Sequence, residues 1–535
     1  MFRPGVILAG SGMDRPSAYG WATLMLAALL LAPPAAFSGE HDELEAWVQT
    51  PLRPQPGDAF MLHFAHPAAP AATVGWRLVL LGPDGSTVRR WQGAALLRQG
   101  QAQVRLAPGA LLRAAPGLYT LRLEAALRGR REPPVQQERQ LALGALPPVR
   151  LAPAQAVEPA FDIYLGNLHS QTGHSDGGGP LDRCTGSQAP QSAADGPAEA
   201  YAYAHGHGLD FLLTSEHNHM YDGSEGSAPN ADADTATGRY REGLAQAAAF
   251  NSAQPDFAAM YGMEWGVISN GGHLNILNSP ELLAWERAAD GRLMGDSFVA
   301  KGDYGALYAL MRERGLLGQF NHPSANQFRI GAQVLAFNAD GDEAMALCEV
   351  MNSAAFSSND RETETRHSFY EATCQRLLEA GYHLAFSSNQ DNHCANWGSA
   401  YTNRSGILLP RGKPLGTATL LEAIRARRLF ATMDKASSLI LTANGHVMGE
   451  RFVNRGPLTL TLQYSAGAGR TGPGVAAITI VHGVPGRRGT PDSTELQDGT
   501  LTLTPPPGEH YYYARLTQED GRILWSAPVW VTQQP

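Results

Sequence analysis

The stretch Phe161–Gly177, FDIYLGNLHSQTGHSDG, predicts a buried strand that runs directly into a group of polar side chains. Apolar and aromatic residues dominate from Ile163 to Leu168, as in a strand covered on both faces. The polar side chains that follow are His169, Gln171, His174 and Asp176. The same order, a predicted strand followed by candidate metal ligands, recurs over the next two hundred residues.

Strand-like and helix-like runs alternate from Phe161 to about Met433. The predicted strands are Ile163–Leu168, Leu209–Ser215, Phe257–Met263, Leu274–Leu277, Leu317–Phe320, Met345–Met351 and Leu384–Ser387. The predicted helices are Pro197–His207, Arg239–Ser252, Tyr304–Arg314, Thr363–Ala380 and Thr417–Arg428. Such β/α alternation predicts an α/β fold, a closed or nearly closed parallel barrel, for residues 160–433. A doubly wound open sheet is the alternative.

Polar residues that can bind metals concentrate at the ends of these strands. Eleven of the 17 histidines lie between His169 and His393. Beyond the first strand, the residues concerned are Glu216, His217, His219, Glu264, His273, His322, Asp391 and His393. Side chains from separate strands of a barrel converge at one rim, and imidazoles with carboxylates favour Zn, Mn or Fe over Ca or Mg. We therefore predict divalent transition metals as cofactors; their number, two or three, is implied only by the family resemblance given below.

A single histidine near a strand is more often structural than catalytic. That interpretation suits His205, His207, His367 and His383, which fall in predicted helices or before a strand. It does not suit the residues at the strand ends, because six strands would have to place His, Asp or Glu at the same end by chance.

The two flanking parts of the chain have a β pattern. Tyr119, Leu121 and Leu123 alternate with polar residues, and Leu458, Leu460 and Leu462 do the same. Short strands separated by turns predict β-sandwiches over residues 39–150 and 436–535. A Pro/Ala-rich linker, 145–159, precedes the barrel. Neither sandwich carries a cluster of reactive side chains, so we expect them to serve as support or for docking to carbohydrates and surfaces.

Length and charge narrow the class of protein. A chain of 535 residues predicts two to four domains. The net charge of −9 and the lack of a long Lys/Arg run argue against nucleic-acid scaffold binding. Nothing in the sequence indicates the oligomeric state.

The first 38 residues predict a signal peptide. Thr23–Ala32 is an apolar run too short to span a bilayer, and Ala36 and Ser38 allow cleavage after Ser38. We expect an exported protein, periplasmic or secreted, without a stable membrane span after cleavage; a membrane anchor is the alternative.

Four cysteines in an oxidising compartment favour disulfides. Their positions favour the pairs Cys184–Cys394 and Cys348–Cys374, although the pairing cannot be fixed from sequence. Either Cys184 or Cys394 could instead be a ligand or nucleophile.

The strand-end motifs resemble those of PHP (polymerase and histidinol phosphatase) metallohydrolases. The matching stretches are Asn167–Thr172 with Ser175–Gly177, then Glu216–His217, His322 and Asp391–His393. With Arg428–Thr432 and the C-terminal sandwich, the chain looks most similar to the carbaryl-hydrolase-type branch. The resemblance implies a distorted (β/α)7 barrel with a di- or trinuclear metal centre.

The resemblance also implies how the ligands divide. His169, Glu264 and Asp391 would surround one metal, and Glu264 would bridge to a second held with His273 and His322. A third would bind to Asp176, His217 and His393, with His174 as a possible substitute for Asp176. Gln171 stands where the family has a histidine, and Asn167 where it has an aspartate. An amide is a weaker ligand than imidazole for Zn-like ions.

Three functions follow from such a centre. The first is a phosphoesterase using metal-activated water, with Glu264, His217, Asp391 and His393 as catalytic residues and a small-molecule ester as substrate. The second is a carboxyl-ester, carbamate or amide hydrolase. The third is a catalytically weak metal-dependent binding module. Asn352, Asn389 and Arg329 are predicted to contact substrate, and for Arg329, as for Arg361 and Lys301, a solvated surface charge is the alternative.

Overall fold

The computed structural model describes residues 43–66, 69–107, 115–130, 133–151, 160–225, 231–325, 327–330, 333–467 and 473–535. The predicted signal peptide, residues 1–38, lies outside the described residues, as does the linker portion 152–159. Glu40–Pro535 make up one compact unit. Within the described ranges, no helix is long and apolar enough to cross a membrane.

The N-terminal part consists of seven strands. They are β1 (Glu45–Gln49), β2 (Phe60–Ala65), β3 (Thr73–Leu81), β4 (Thr87–Leu96), β5 (Gln101–Leu106), β6 (Gly117–Leu127) and β7 (Val135–Leu143). One sheet has the order β1-β2-β5 and the other β4-β3-β6-β7. Alternate residues such as Leu62, Leu78 and Leu121 are buried in a shared apolar core. The predicted β character of this part, with sandwich-like sheets, is confirmed.

The middle of the chain contains fourteen strands and six helices among the described residues. The strands are β8 (Phe161–Asn167), β9 (Phe211–His217), β10 (Ala258–Trp265), β11 (Leu274–Leu277), β12 (Leu283–Ala284), β13 (Ser297–Phe298), β14 (Leu317–Phe320), β15 (Arg329–Ile330), β16 (Gln333–Val334), β17 (Met345–Ser353), β18 (His367–Phe369), β19 (Ala385–Asn389), β20 (Arg404–Pro410) and β21 (Leu429–Thr432). The helices are α1 (Pro197–Gly206), α2 (Ala233–Ala253), α3 (Tyr304–Arg314), α4 (Ala339–Ala344), α5 (Glu371–Ala380) and α6 (Thr417–Arg425).

Helix ends follow from local sequence. Pro197 opens α1 at a position where its missing N–H is not needed. The Asp303 carboxylate accepts a hydrogen bond from the Ala306 N–H and so caps α3, which ends at Gly315 in the left-handed conformation.

The central sheet is mixed, and the predicted barrel of seven parallel β/α units is not found among the described strands. Its order is β18-β17-β14-β11-β10-β9-β8-β20, with β19 paired to β17. Strands β8, β9 and β10 are parallel, as are β14, β17 and β19, whereas β11 is antiparallel to both of its neighbours. Only a short connection separates β10 from β11, and such a connection can only reverse the chain. The fold-class prediction is confirmed for its sandwich-like sheets, while the middle departs from seven uniformly parallel units because β11 and β20 run antiparallel to their neighbours.

The predicted helix Thr363–Ala380 is too long at its start. His367–Phe369 pairs with β17 as the antiparallel strand β18, and α5 begins at Glu371. The Tyr370 N–H donates to the Val350 carbonyl. This pairing satisfies backbone groups that a helix would otherwise bond internally, so tertiary contact overrides the helical pattern.

The C-terminal part adds ten strands. They are β22 (Ser438–Ala443), β23 (His446–Val447), β24 (Arg451–Arg455), β25 (Leu458–Ser465), β26 (Val475–Gly483), β27 (Asp492–Leu496), β28 (Thr500–Leu503), β29 (Gly508–Gln518), β30 (Ile523–Ser526) and β31 (Val529–Gln534). One four-stranded sheet has the order β23-β22-β25-β28. The remaining strands continue the central sheet, because β21 pairs with β30. The predicted second sandwich is thus sheet-rich as expected but shares a sheet with the middle of the chain.

Candidate metal centre

Strand ends bring the predicted ligands together from segments far apart in sequence. His169 follows β8, His217 ends β9 and Glu264 lies near the end of β10. His273 precedes β11, which enters the sheet from the opposite direction, so its start lies beside the end of β10. His322 follows β14, while Asp391 and His393 follow β19. All these side chains are buried, His322 being the most exposed at 7%.

Three groups of these side chains have ligand atoms within 4.8 Å of one another. The groups are His169 with His322 and Asp391, then Asp176 with His217 and His393, then His217 with Glu264 and His273. The second group has the membership that the sequence predicts for a third metal. The first group differs from the predicted division, which placed His322 with His273 and Glu264. In the structure His322 also lies with His169 and Asp391.

The three groups together form one buried cluster. Glu264 lies at its centre and contacts several imidazoles. Its Oε2 is 3.1 Å from His169 Nε2, and its Oε1 is 3.0 Å from His273 Nδ1. His322 Nε2 is 3.4 Å from Oε1, and His217 Nδ1 is 3.6 Å from Oε2. Glu264 thus has imidazoles beside both of its carboxylate oxygens, and the family resemblance implies a bridging ligand at this position.

The group of Asp176, His217 and His393 has wider spacing. Asp176 Oδ1 is 3.7 Å from His217 Nε2, and Oδ2 is 3.6 Å from His393 Nε2. The two carboxylate oxygens of Asp176 are buried and accept no hydrogen bond from the described part of the chain. His393 Nδ1 lies 2.8 Å from the Asp391 carbonyl oxygen, which directs Nε2 toward Asp176.

Glu349 belongs to the site, but the sequence patterns did not predict it. It lies in β17, fully buried, and its Oε1 is 3.3 Å from His169 Nδ1. Its Oε2 accepts a hydrogen bond from the His322 N–H at 2.7 Å. A carboxylate on one imidazole nitrogen fixes the ring so that the other nitrogen can bind a metal. A lone glutamate in the apolar run Met345–Met351 was the signal that could have revealed it.

The charges in the cluster shift one another's pKa values. Burial lowers the pKa of His169, but Asp391, Glu264 and Glu349 raise it well above its usual value. Burial raises the pKa of Glu264, but the surrounding imidazoles hold it well below the usual range. Burial raises the pKa of Asp391, and its neighbouring histidines offset this only in part. These shifts show how strongly the carboxylates attract positive charge placed beside them.

Two of the candidate ligands have an unusual backbone conformation. The φ angles are +50° at Asp391 and +26° at His322, in the region that favours glycine. Such strain costs on the order of 1–3 kcal/mol per residue and is typical of functional sites. Both residues turn sharply away from a strand end, and this brings their side chains onto the cluster.

Gln171 and His174 lie beside the three groups rather than within them. The Gln171 amide Nε2 donates to Glu264 Oε2 at 2.6 Å, so Gln171 orients this carboxylate. His174 Nδ1 is 2.9 Å from the Tyr261 hydroxyl. Burial, followed by the charge of Arg239, lowers the pKa of His174 to about 4. The structure thus places Asp176, and not His174, with His217 and His393.

The predicted substrate-binding residues divide between the interior and the rim. Asn389 is fully buried; its Oδ1 accepts from the Leu168 N–H, and its Nδ2 donates to Glu349. It therefore lies beneath the cluster, not at the rim. Asn352 is 4% exposed and lines a cleft beside Asp391. Arg329 is half-buried on β15, in the segment after His322.

Two disulfides, Cys184–Cys394 and Cys348–Cys374, are the pairs favoured by the sequence. The first ties the segment after Gly177 to the residue that follows His393. No cysteine of the chain is free, so Cys184 and Cys394 are neither ligands nor nucleophiles here. Disulfides are typical of oxidising compartments, which agrees with an extracellular protein.

A cleft opens above the cluster between the N-terminal sheets and the rim of the central sheet. We call it the N-terminal cleft. Its empty volume is about 800 Å³. One wall comes from Glu43–Trp47 and Gln137, the other from Asn352–Phe356 and Arg366–Ser368, and its floor contains His322 and Asp391. The N-terminal part thus lines a cleft beside the cluster, which the sequence did not predict. Its polar residues were missed because they alternate with apolar ones as in any exposed strand face.

Comparison with known proteins gives no family by sequence. No family model matches the chain. No curated protein matches it either.

Solved structures that are similar include three bacterial glycoside hydrolases. The beta-glucuronidase of Parabacteroides merdae is 9% identical, with a TM-score of 0.15, and the match covers 92% of this chain and 64% of that chain. The glycosyl hydrolase family 2 member from Bacteroides cellulosilyticus is 10% identical, with a TM-score of 0.17, over 92% and 63%. The Bacteroides uniformis beta-glucuronidase is 9% identical, with a TM-score of 0.14, over 92% and 61%. The chain thus spans less than two thirds of their length, and TM-scores this low carry no argument about its own activity.

These findings correct the family prediction. The similar structures are glycosyl hydrolase family 2 enzymes rather than PHP metallohydrolases. The predicted PHP membership, the carbaryl-hydrolase-type branch and the phosphoesterase activity are therefore corrected, because no family model matches the chain and none of the similar structures supports them. The motifs that suggested them are short, and they depart from the family pattern at Asn167 and Gln171. Any strand that delivers His and Asp side chains to one sheet edge can produce similar spacings.

Proposed function

We propose that the buried cluster binds two or three divalent transition metals and that the chain is a metal-dependent hydrolase of a small polar molecule. The observation that carries the proposal is the group of Asp176, His217 and His393. Two ligand atoms about 2.1 Å from one tetrahedral ion lie about 3.4 Å apart. The separations of 3.7 Å and 3.6 Å from Asp176 to the two histidines are close to this value.

The chemistry of the donors supports the same proposal. A buried carboxylate without hydrogen-bond donors is costly unless a cation compensates it. Asp176 is 1% exposed and accepts no hydrogen bond from the described residues. Imidazole with carboxylate is a donor set that Zn, Mn and Fe share.

When bound, such metals lower the pKa of a coordinated water toward neutrality and so supply a nucleophile. The residues of the chain would hold and orient them. Glu264 can connect neighbouring positions, Glu349 fixes the His169 ring, and Gln171 fixes the Glu264 carboxylate. His322 and Asp391 border the N-terminal cleft, so a substrate there would lie beside the centre.

Metal analysis and a substrate panel test the proposal. We expect at least one tightly bound transition metal per purified chain, lost in Asp176→Ala and His393→Ala. His446→Ala is the matched control, because this exposed histidine pairs with Glu450 far from the cluster. Hydrolysis within a panel of aryl glycosides and acetates should stop with a chelator and return with added metal.

Two outcomes would refute the proposal. One is fewer than one metal per chain with no effect of Asp176→Ala. The other is turnover that a chelator does not change; turnover of aryl glycosides in this way would favour a glycosidase, as the similar structures are named.

A further inference from the structure

The N-terminal cleft carries neutral polar groups that lack partners. Trp47 Nε1, Asn352 Oδ1 and Ser353 Oγ are buried and have no hydrogen-bond partner among the described residues. The imidazole of His367 is a fourth polar group beside them. All four residues line this cleft. Asn352 and Ser353 are each only 4% exposed.

A buried polar atom without a partner is rare in a folded protein and calls for a ligand or solvent to complete it. Three such atoms around one opening are therefore an indication of a binding site. The indole nitrogen can only donate, the amide oxygen can only accept, and the serine hydroxyl can do either. A ligand that satisfies them must both donate and accept hydrogen bonds.

The histidine of this set is uncharged. Burial, followed by the charge of Arg139, lowers the pKa of His367 to about 3. At neutral pH its imidazole is therefore neutral. None of the four groups offers a full charge to a ligand.

The charged residues of the cleft do not favour an anion. Among the described residues that line the cleft, Arg366 is the only arginine, and its guanidinium pairs with Glu364 at 3.1 Å. Arg139, whose charge acts on His367, does not belong to the lining. The opposite wall carries the carboxylates of Glu43 and Glu45. An anionic group would approach two carboxylates and an arginine whose charge is already balanced by Glu364, and this is unfavourable.

We infer that the N-terminal cleft binds the hydroxyl-bearing part of a neutral polyol, such as a sugar ring, beside the metal cluster. Each hydroxyl both donates and accepts, as the four groups require. His322 and Asp391 lie in the same lining, so the bound polyol would reach the reacting end of the site. This inference rests on the proposed function, since the polyol is the part of the substrate that the cleft would recognise. It makes Trp47 of β1 a specificity-determining residue supplied by the N-terminal sheets.

Three probes with the same ring skeleton and different charge test the inference. They are methyl glucoside, which is neutral, methyl glucuronide, which carries a carboxylate, and glucosamine, which carries an ammonium group. We expect calorimetric titration of the full chain to give the tightest binding with methyl glucoside. Trp47→Phe, which keeps an aromatic ring and removes the N–H donor, should weaken this binding about fivefold, as should Ser353→Ala.

Trp91→Phe is the matched control. Trp91 lies on β4 in the same N-terminal part, packs edge-on against Phe60 and does not line the cleft. Its replacement should leave the dissociation constant unchanged. Two small substitutions at separate positions guard against a folding defect in either one, and thermal melts would detect such a defect.

Several results would overturn the inference: no binding of the neutral probe, tighter binding of a charged probe, or equal affinities for Trp47→Phe and Trp91→Phe. Metal content measured on the same samples separates the two proposals. Bound metal without Trp47-dependent sugar binding would contradict only the polyol site. Sugar binding that depends on Trp47 in a chain without metal would contradict only the proposed metal-dependent hydrolase.

Discussion

Replacing Glu264 by glutamine removes the negative charge around which the imidazoles gather. Its Oε1 is 3.0 Å from His273 Nδ1, and its Oε2 is 3.1 Å from His169 Nε2. At an effective dielectric constant of about 20, one charge pair at this distance attracts by about 5 kcal/mol. Desolvation offsets part of this attraction, and breaking one partner of a buried pair costs about 3–5 kcal/mol. We expect the metal-free Glu264→Gln chain to lose that much free energy of unfolding.

The pH of the measurement follows from the direction of the two pKa shifts. Glu264 has a folded pKa below its ordinary 4.5. Its contribution to the free energy of unfolding is therefore present above pH 4.5 and is lost as the pH falls through the folded value. His169 has a folded pKa above 6.5, so its contribution is present below pH 6.5 and is lost as the pH rises through the folded value. The pair should stabilise the fold most between pH 4.5 and 6.5.

Urea unfolding at pH 6, followed by circular dichroism after removal of metal with a chelator, measures this loss. Glu138→Gln is the control, because its carboxylate pairs with Arg122 on the surface and should contribute less than about 1 kcal/mol. A loss for Glu264→Gln no larger than for Glu138→Gln would refute the electrostatic account of the cluster.

Three further substitutions test other contacts of the site. Gln171→His replaces an amide by a better ligand for Zn-like ions and should tighten binding of zinc about tenfold in calorimetric titration. The double substitution Cys184→Ser with Cys394→Ser releases the segment that follows His393; it should lower the free energy of unfolding by up to about 5 kcal/mol and reduce the metal content. The free energy of unfolding of the unmodified chain should fall by about 3 kcal/mol between pH 4.5 and 7, and Glu216→Gln should abolish this fall. Urea unfolding at both pH values measures the difference. Burial raises the pKa of Glu216 to about 7, so the unfolded chain releases its proton at lower pH than the folded chain does.

Each of these expectations has an outcome that contradicts it. Weaker zinc binding in Gln171→His would mean that the hydrogen bond from Gln171 to Glu264 matters more than an added ligand. Unchanged metal content in the double serine variant would mean that the Asp391–His393 segment holds its position without the disulfide. An unchanged pH slope in Glu216→Gln would assign the slope to another group.

The position of the site could be predicted from sequence because strand ends concentrate polar residues in a recognisable way. Runs such as Leu209–Ser215 and Phe257–Met263 lie close to β9 and β10, and the ligands follow from where those strands stop. The direction of a strand was not accessible in the same way. Nothing in LNIL distinguishes a parallel strand from β11, which runs antiparallel because the chain returns directly from β10.

Contacts between segments that are distant in sequence could not be predicted either. Glu349 interacts with His169 across 180 positions of the chain, and no local pattern links the two. The N-terminal cleft arises only when β1 meets the rim of the central sheet. The short motifs around His169 and Asp391 indicated a family that the comparisons do not support, since such motifs describe a local geometry that unrelated folds can share.

The left-handed backbone at His322 and Asp391 has a consequence for protein engineering. Asparagine and glycine adopt this conformation more easily than histidine or aspartate do, so they would relax the local strain. A library selected only for thermostability should therefore accumulate Asn or Gly at these two positions. Heat tolerance and the ability to retain a cation would diverge in such a selection, and thermostable variants of this chain should be assayed for both.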